Sequence, residues 1–192
     1  MVLLGIMQRL PIHAMKQIKV ITTAIAHVST TAINLTSVSD ISREARRNKA
    51  KVIEGAYTVE NDLRMIISLY FFGQSHERKS VFESLVLGSD WCSFSAKRKL
   101  ISHIVNELKL LKGEAKAEFE KLLGDVMSFR NAFAHGALSS DGEKVWISYF
   151  QGAPRKEELT DDYLTRMEIT LLDAHEQALA LLQKIGASRL AS

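Results

Sequence analysis

Apolar residues return at three- and four-residue spacing through most of the chain and alternate in only one short stretch. Val52, Ala56, Val59, Leu63, Ile66 and Tyr70 form one stripe inside a segment, 41–72, that lacks proline and has Gly55 as its one glycine. This spacing predicts a long helix. Asp40 is placed to cap its start, with Glu44 in the first turn, and Gly55 is placed for a bend. Gly73-Gln74-Ser75-His76 predicts its end. A short helix over 80–86 follows, stopped by Gly88-Ser89-Asp90. Ser93 is placed to cap the next, whose face is Phe94, Leu100, Ile101, Ile104, Leu108 and Leu111 and whose close is Lys112-Gly113. A helix over 114–135 carries Phe119, Leu122, Leu123, Val126, Met127 and Phe133, with Gly136 where a C′ glycine belongs. Ser140-Asp141-Gly142-Glu143 is a turn signal, and 145–150 alternates as a strand does. Thr160 is placed to cap a last helix that turns Leu164, Met167, Leu171, Ala174, Ala178, Leu182 and Ile185 inward. The pattern predicts an all-α bundle of about five helices, with a short β-hairpin or strand insertion before the last one.

Residues 1–39 differ from the remainder. They hold Arg9, Lys16 and Lys19 and no Asp or Glu. Polar residues interrupt every window long enough to span a bilayer, and Arg9 follows the first apolar run where a signal peptide would have its charge first. The segment reads as basic and amphipathic, docked on a partner chain or on a body that spans 40–192, and the expected location is the cytoplasm, with no membrane contact. The whole chain of 192 residues has 25 Lys and Arg against 22 Asp and Glu. With three of those bases in the first 39 residues, the body is formally neutral, so any anion site must be a local cluster. One cysteine, Cys92, excludes a disulfide framework. His13, His27, His76, His103 and His175 show no ligand spacing, so neither a metal nor a cofactor is expected.

The segment Phe129-Arg130-Asn131-Ala132-Phe133-Ala134-His135-Gly136 carries the chemistry. An ordinary helix end could hold all three polar residues, since His⁺ suits the negative end of the macrodipole. Asn131 and His135 share a face by their i, i+4 spacing. Chemically, however, a histidine exchanges protons near neutral pH, and an arginine is a permanent fork for phosphate. Arg130 and His135 stand about 140° apart around a helix. They converge only if Arg130 bends round or a second chain supplies a matching set, which points to a site at a dimer interface.

The segment resembles the Arg-Asn-x-x-x-His signature of the HEPN domain (higher eukaryotes and prokaryotes nucleotide-binding), which Arg130, Asn131 and His135 match position by position. The setting, late in a small helical bundle, also resembles that family. So does Phe94-Ser95-Ala96-Lys97-Arg98-Lys99-Leu100 on the preceding helix. The resemblance covers about 41–185, and a more distant similarity is to the helical frame of the mannitol-operon regulators. It implies a homodimeric, metal-independent endoribonuclease that makes 2′,3′-cyclic phosphate and 5′-hydroxyl ends. His135 would then be general base or acid, Arg130 the stabiliser of transition-state charge, and Asn131 the residue that orients the histidine or the phosphate. Many family members are toxins or phage-defence components paired with an antitoxin protein. Others are non-catalytic modules that bind a nucleotide or a partner, and that is the alternative expectation.

Four further groups accompany these. Glu60 and Asp62 are candidates to pair with Arg130, against the plainer reading of interhelical ion pairs. Arg43, Arg46, Arg47, Lys49 and Lys51 form a basic run, and Lys97-Arg98-Lys99 another. Arg46, Arg47 and Lys97 are the candidate RNA contacts, against the plainer reading of solvated faces. His175 falls on the stripe of the last helix as a satisfied core or interface histidine. No organised platform of stacking aromatics is visible in the sequence.

Overall fold

A computed structural model describes residues 35–190 apart from 75, 142 and 143, with side chains over 43–187. The elements in order are α1 (Leu35–Phe72), α2 (Lys79–Phe82) running into a π-helical turn (Glu83–Leu87), α3 (Phe94–Glu107), α4 (Gly113–His135), β1 (Ala137–Ser140), β2 (Val145–Phe150), β3 (Pro154–Glu158) and α5 (Asp161–Leu190). Among the described residues no helix is long and apolar enough to cross a membrane. The expected amphipathic segment lies outside the described residues as far as 34.

The all-α bundle with a strand insertion is what the chain forms. Helix α1 starts at Leu35, so Asp40 is not its cap but lies inside it. At its other end Gly73 turns left-handed, with φ 71°, and donates its N–H to the Leu69 carbonyl at 2.9 Å, as a glycine C-cap does. Ser93 accepts from the Ala96 amide at 3.2 Å, and Thr160 from the Tyr163 amide at 3.1 Å, so both predicted N-caps are present. The expected close at Lys112-Gly113 is overturned. Helix α3 stops at Glu107, Lys109 takes φ 53°, and Gly113 opens α4 instead.

The predicted strand 145–150 is the centre of a three-stranded antiparallel sheet in the order β1-β2-β3. Ala137 faces Ser148 across one ladder, and Phe150 faces Pro154 across the other. Gly136 is not the left-handed C′ residue expected, because its backbone is extended. Glycine is required there for space: a Cβ would strike the Ala132 carbonyl and come within 2.9 Å of Ile147 Cγ1.

Helix α1 packs against α5, α3 and α4. One core cluster, with Leu63, Ile66, Ile101, Phe119 and Leu181, fills the bundle. A second joins Ala45 and Val52 of α1, Ala132 and Phe133 of α4, Val145 and Ile147 of β2, and Leu164 and Met167 of α5. Asn48 is wholly buried on the α1 face that bears Ala45 and Val52, and among the described residues neither of its amide atoms has a hydrogen-bond partner. An unpaired buried amide costs about 1–3 kcal/mol. Asn48→Leu is therefore expected to raise stability by about that amount, read as a shift in the urea midpoint at unchanged slope.

Candidate functional site

The last two turns of α4 hold the motif. Phe133 and Ala132 point into the second core cluster, and Phe129 meets the Tyr163 ring edge-on at 6.2 Å. These three anchor the helix end, and the polar residues between them turn outward. Asn131 and His135 are exposed and Arg130 is half-buried. Arg130 donates from Nη1 to Asn131 Oδ1 at 3.2 Å, which leaves the Asn131 amino group able to donate elsewhere. Among the described residues no hydrogen bond joins Arg130 to His135.

Glu60 and Asp62 do not pair with Arg130. Glu60 Oε1 accepts from Lys97 Nζ at 2.6 Å, and Asp62 Oδ2 lies 2.6 Å from His175 Nδ1. The plainer reading of both acids as interhelical pairs is the observed one. Lys97 is therefore not an RNA contact. It is 3% exposed, and its ammonium also donates to the Cys92 carbonyl at 2.5 Å. Its neighbour Arg98 reaches the Glu120 carbonyl at 3.2 Å and ties α3 to α4. Arg46 and Arg47 are exposed, with Arg47 paired to Glu44 at 3.2 Å. His175 is satisfied by Asp62, as the stripe predicts.

Burial holds the Asp62 carboxyl above its ordinary value of 3.8, and the hydrogen bond and charge of His175 pull the other way without cancelling that rise. A carboxyl that binds its proton more tightly folded than unfolded favours the fold fully below the unfolded value. That contribution fades as pH rises through the raised value. Asp62→Asn is expected to remove this downward slope, measured as urea midpoints from about pH 4 to about pH 7. A slope equal to the wild type's would show that another group sets it. Behind the motif, Tyr163 is pushed up to about 12 by burial first and then by Tyr149 and Glu157, against Arg166. Its phenol therefore stays protonated and is no base for proton transfer near neutral pH.

Sequence reasoning missed the outer face of the sheet. Val145 and Ile147 are buried beneath it and Tyr149 packs inward, so alternation turns Trp146, Ser148 and Phe150 to the other side. Phe150 is 76% exposed. Lys156 places its ammonium 4.5 Å from the Trp146 ring centre. Lys144 bonds Glu158 at 3.0 Å beside them. Gln151 donates to Ser128 Oγ at 3.1 Å, and Ser128, Asn131 and His135 lie on one stripe of α4 by their spacing. The turn after Phe150 thus sits at one end of the motif's own face. Two aromatics at i, i+4 on a strand were the available signal, hidden because β3 could not be read and the face had no second wall.

Among the described residues, no group of three or more His, Cys, Asp or Glu side chains gathers as a metal site would. Comparison with protein-family models, curated proteins and solved structures returns no match.

Proposed function

We propose that this chain is a cytoplasmic, metal-independent endoribonuclease of the HEPN type that acts as a homodimer. The observation that carries the reading is that Asn131 and His135 are exposed, while among the described residues the one side-chain bond of Arg130 runs to Asn131. Folding leaves the motif's polar groups outside, on a helix end held from within by Phe129, Ala132 and Phe133. A second copy facing the first would bring two such sets around one phosphate. The ribose 2′-hydroxyl attacks phosphorus, His135 takes its proton, and the bond to the 5′ oxygen breaks. A histidine, that of the second copy, returns a proton to the leaving oxygen. The products are a 2′,3′-cyclic phosphate and a 5′-hydroxyl. Arg130 holds the charge that builds on the phosphoryl oxygens, and the Asn131 amide orients them. A chain with this activity calls for a restraining antitoxin protein as partner.

The outer sheet face suits the substrate. Trp146 and Phe150 stand about 13 Å apart, and unpaired bases stack on exposed rings with about 1–3 kcal/mol each. Phe150→Ala is expected to weaken binding of an uncleavable single-stranded RNA about tenfold, by fluorescence anisotropy. Unchanged affinity would remove the sheet from the substrate path. The reading as a whole is tested by incubating structured RNA with the full chain in EDTA and mapping the ends. Cyclic-phosphate ends support it, and an inert wild type overturns it.

A second reading, a non-catalytic module that binds a nucleotide or partner, is favoured by one observation. Cavities of about 580 Å³ and about 260 Å³ open elsewhere on the chain, and neither is lined by a motif residue. In that case the motif residues only hold the helix end, the motif variants leave ligand binding unchanged, and no RNA is cut.

A further inference from the structure

The larger cavity opens between the last third of α1 and the α2 segment, with a volume of about 580 Å³. This is within the range of small-molecule sites, roughly 300–1,000 Å³. Arg64, His76 and Lys79 line it, together with the donors Asn61, Gln74 and Ser80. Arg64 lies about 18 Å further along α1 than Val52, which packs beside the motif helix. The cavity is thus a place apart from Arg130 and His135.

Among the described residues the cations here hold no carboxylate. Elsewhere Arg47, Lys97, Lys121 and Lys144 each hold a carboxylate within 3.2 Å. Arg64 instead spends one Nη2 donor on the Glu83 backbone carbonyl at 3.1 Å. Its Nε is buried without an acceptor among the described residues. Among the described residues neither Arg64 nor Lys79 makes an ion pair. His76 Nδ1 accepts the Arg78 amide at 3.1 Å, so a neutral ring carries its proton on Nε2 and presents a further donor. Glu83 is the one acid in the lining. An arginine, a lysine and a histidine thus face a single carboxylate in the lining.

We propose that this cavity binds a small phosphorylated ligand, with Arg64 and Lys79 on the phosphate. The donors select the chemistry. A guanidinium fork, an ammonium, two amide side chains and a hydroxyl together offer more hydrogen bonds than a carboxylate's two oxygens can accept. The three terminal oxygens of a phosphomonoester can take them up. Glu83 adds selectivity, since it repels an anion that the fork does not grip.

The test is calorimetric titration of the full chain with inorganic phosphate and with ribose 5-phosphate, using succinate as a dicarboxylate of equal charge. Both phosphates are expected to bind, and succinate at least tenfold more weakly. Lys79→Gln is expected to weaken phosphate at least fivefold without moving the thermal midpoint of the free protein. Arg64→Gln is expected to abolish binding, but it also removes a bond to the Glu83 carbonyl. Lys79→Gln therefore keeps the question open to refutation if that variant fails to fold. Arg130→Ala separates the two sites: phosphate binding is expected to survive it, whether or not the chain cuts RNA. Loss of binding in Arg130→Ala, equal affinity for succinate, no change in Lys79→Gln, or no phosphate binding at millimolar concentration would each overturn the assignment.

Discussion

His135→Ala is expected to lower RNA cleavage by about 10²–10⁴-fold, the usual worth of a positioned general acid or base. Its fold should stay within about 0.5 kcal/mol of the wild type, because the ring is exposed and substitutions on open surface seldom do more. Arg130→Ala should lose activity by about 10²–10³-fold, as removal of one oxyanion donor does. Arg130→Lys should recover little of it, because an ammonium cannot reproduce a two-pronged grip. The measurement is single-turnover cleavage in EDTA, with the thermal midpoint and the oligomeric state of each variant recorded alongside. Full activity in a folded His135→Ala would sink the proposed chemistry outright.

The largest effect on stability is expected from Glu60→Ala, at about 3 kcal/mol. Lys97 is 3% exposed and Glu60 19% exposed, so the two partners are not equivalent. Removal of the carboxylate strands a buried ammonium on the Cys92 carbonyl alone. Removal of the lysine, as Lys97→Met, leaves a carboxylate that water still reaches, and the cost should be smaller. The pair Glu60→Leu with Lys97→Met should come back close to wild type, because an apolar replacement of similar volume removes the desolvation cost along with the attraction. Urea denaturation of the two single variants and the double variant gives all three numbers. Equal losses in the two single variants would show that the burial asymmetry has no energetic meaning.

How legible these features are in the sequence follows from how local their causes are. Ser93, Thr160 and Gly73 act within a few residues, so their caps can be read from the chain. The 145–150 strand shows because its alternation is complete. The third strand, Pro154-Arg-Lys-Glu-Glu158, has no apolar residue after the proline. It exists because β2 offers it an edge, and no periodicity reports that. The end of α3 was misplaced for a similar reason. Leu108, Leu110 and Leu111 extend the helical spacing past Glu107, but Lys109 turns left-handed and the chain leaves the helix. At the candidate site, the outward set of Arg130, Asn131 and His135 follows from the inward set of Ala132 and Phe133. The fates of Glu60, Asp62 and Lys97 do not, since Lys97 finds its acid 37 residues away and His175 finds Asp62 across 113.

The position of Phe133 bears on the order in which the motif is assembled during synthesis. Leu164 and Met167, which help enclose Phe133 and Ala132, belong to α5 and leave the ribosome after the motif helix and the sheet. Until they arrive, the core face of α4 near His135 lacks the wall that α5 supplies, and the helix end rests on residues of α1 and the sheet. A nascent chain therefore carries the whole motif well before it can hold it in place. Under the ribonuclease reading proposed above, that order is protective, because the transcript being read is the RNA nearest to hand.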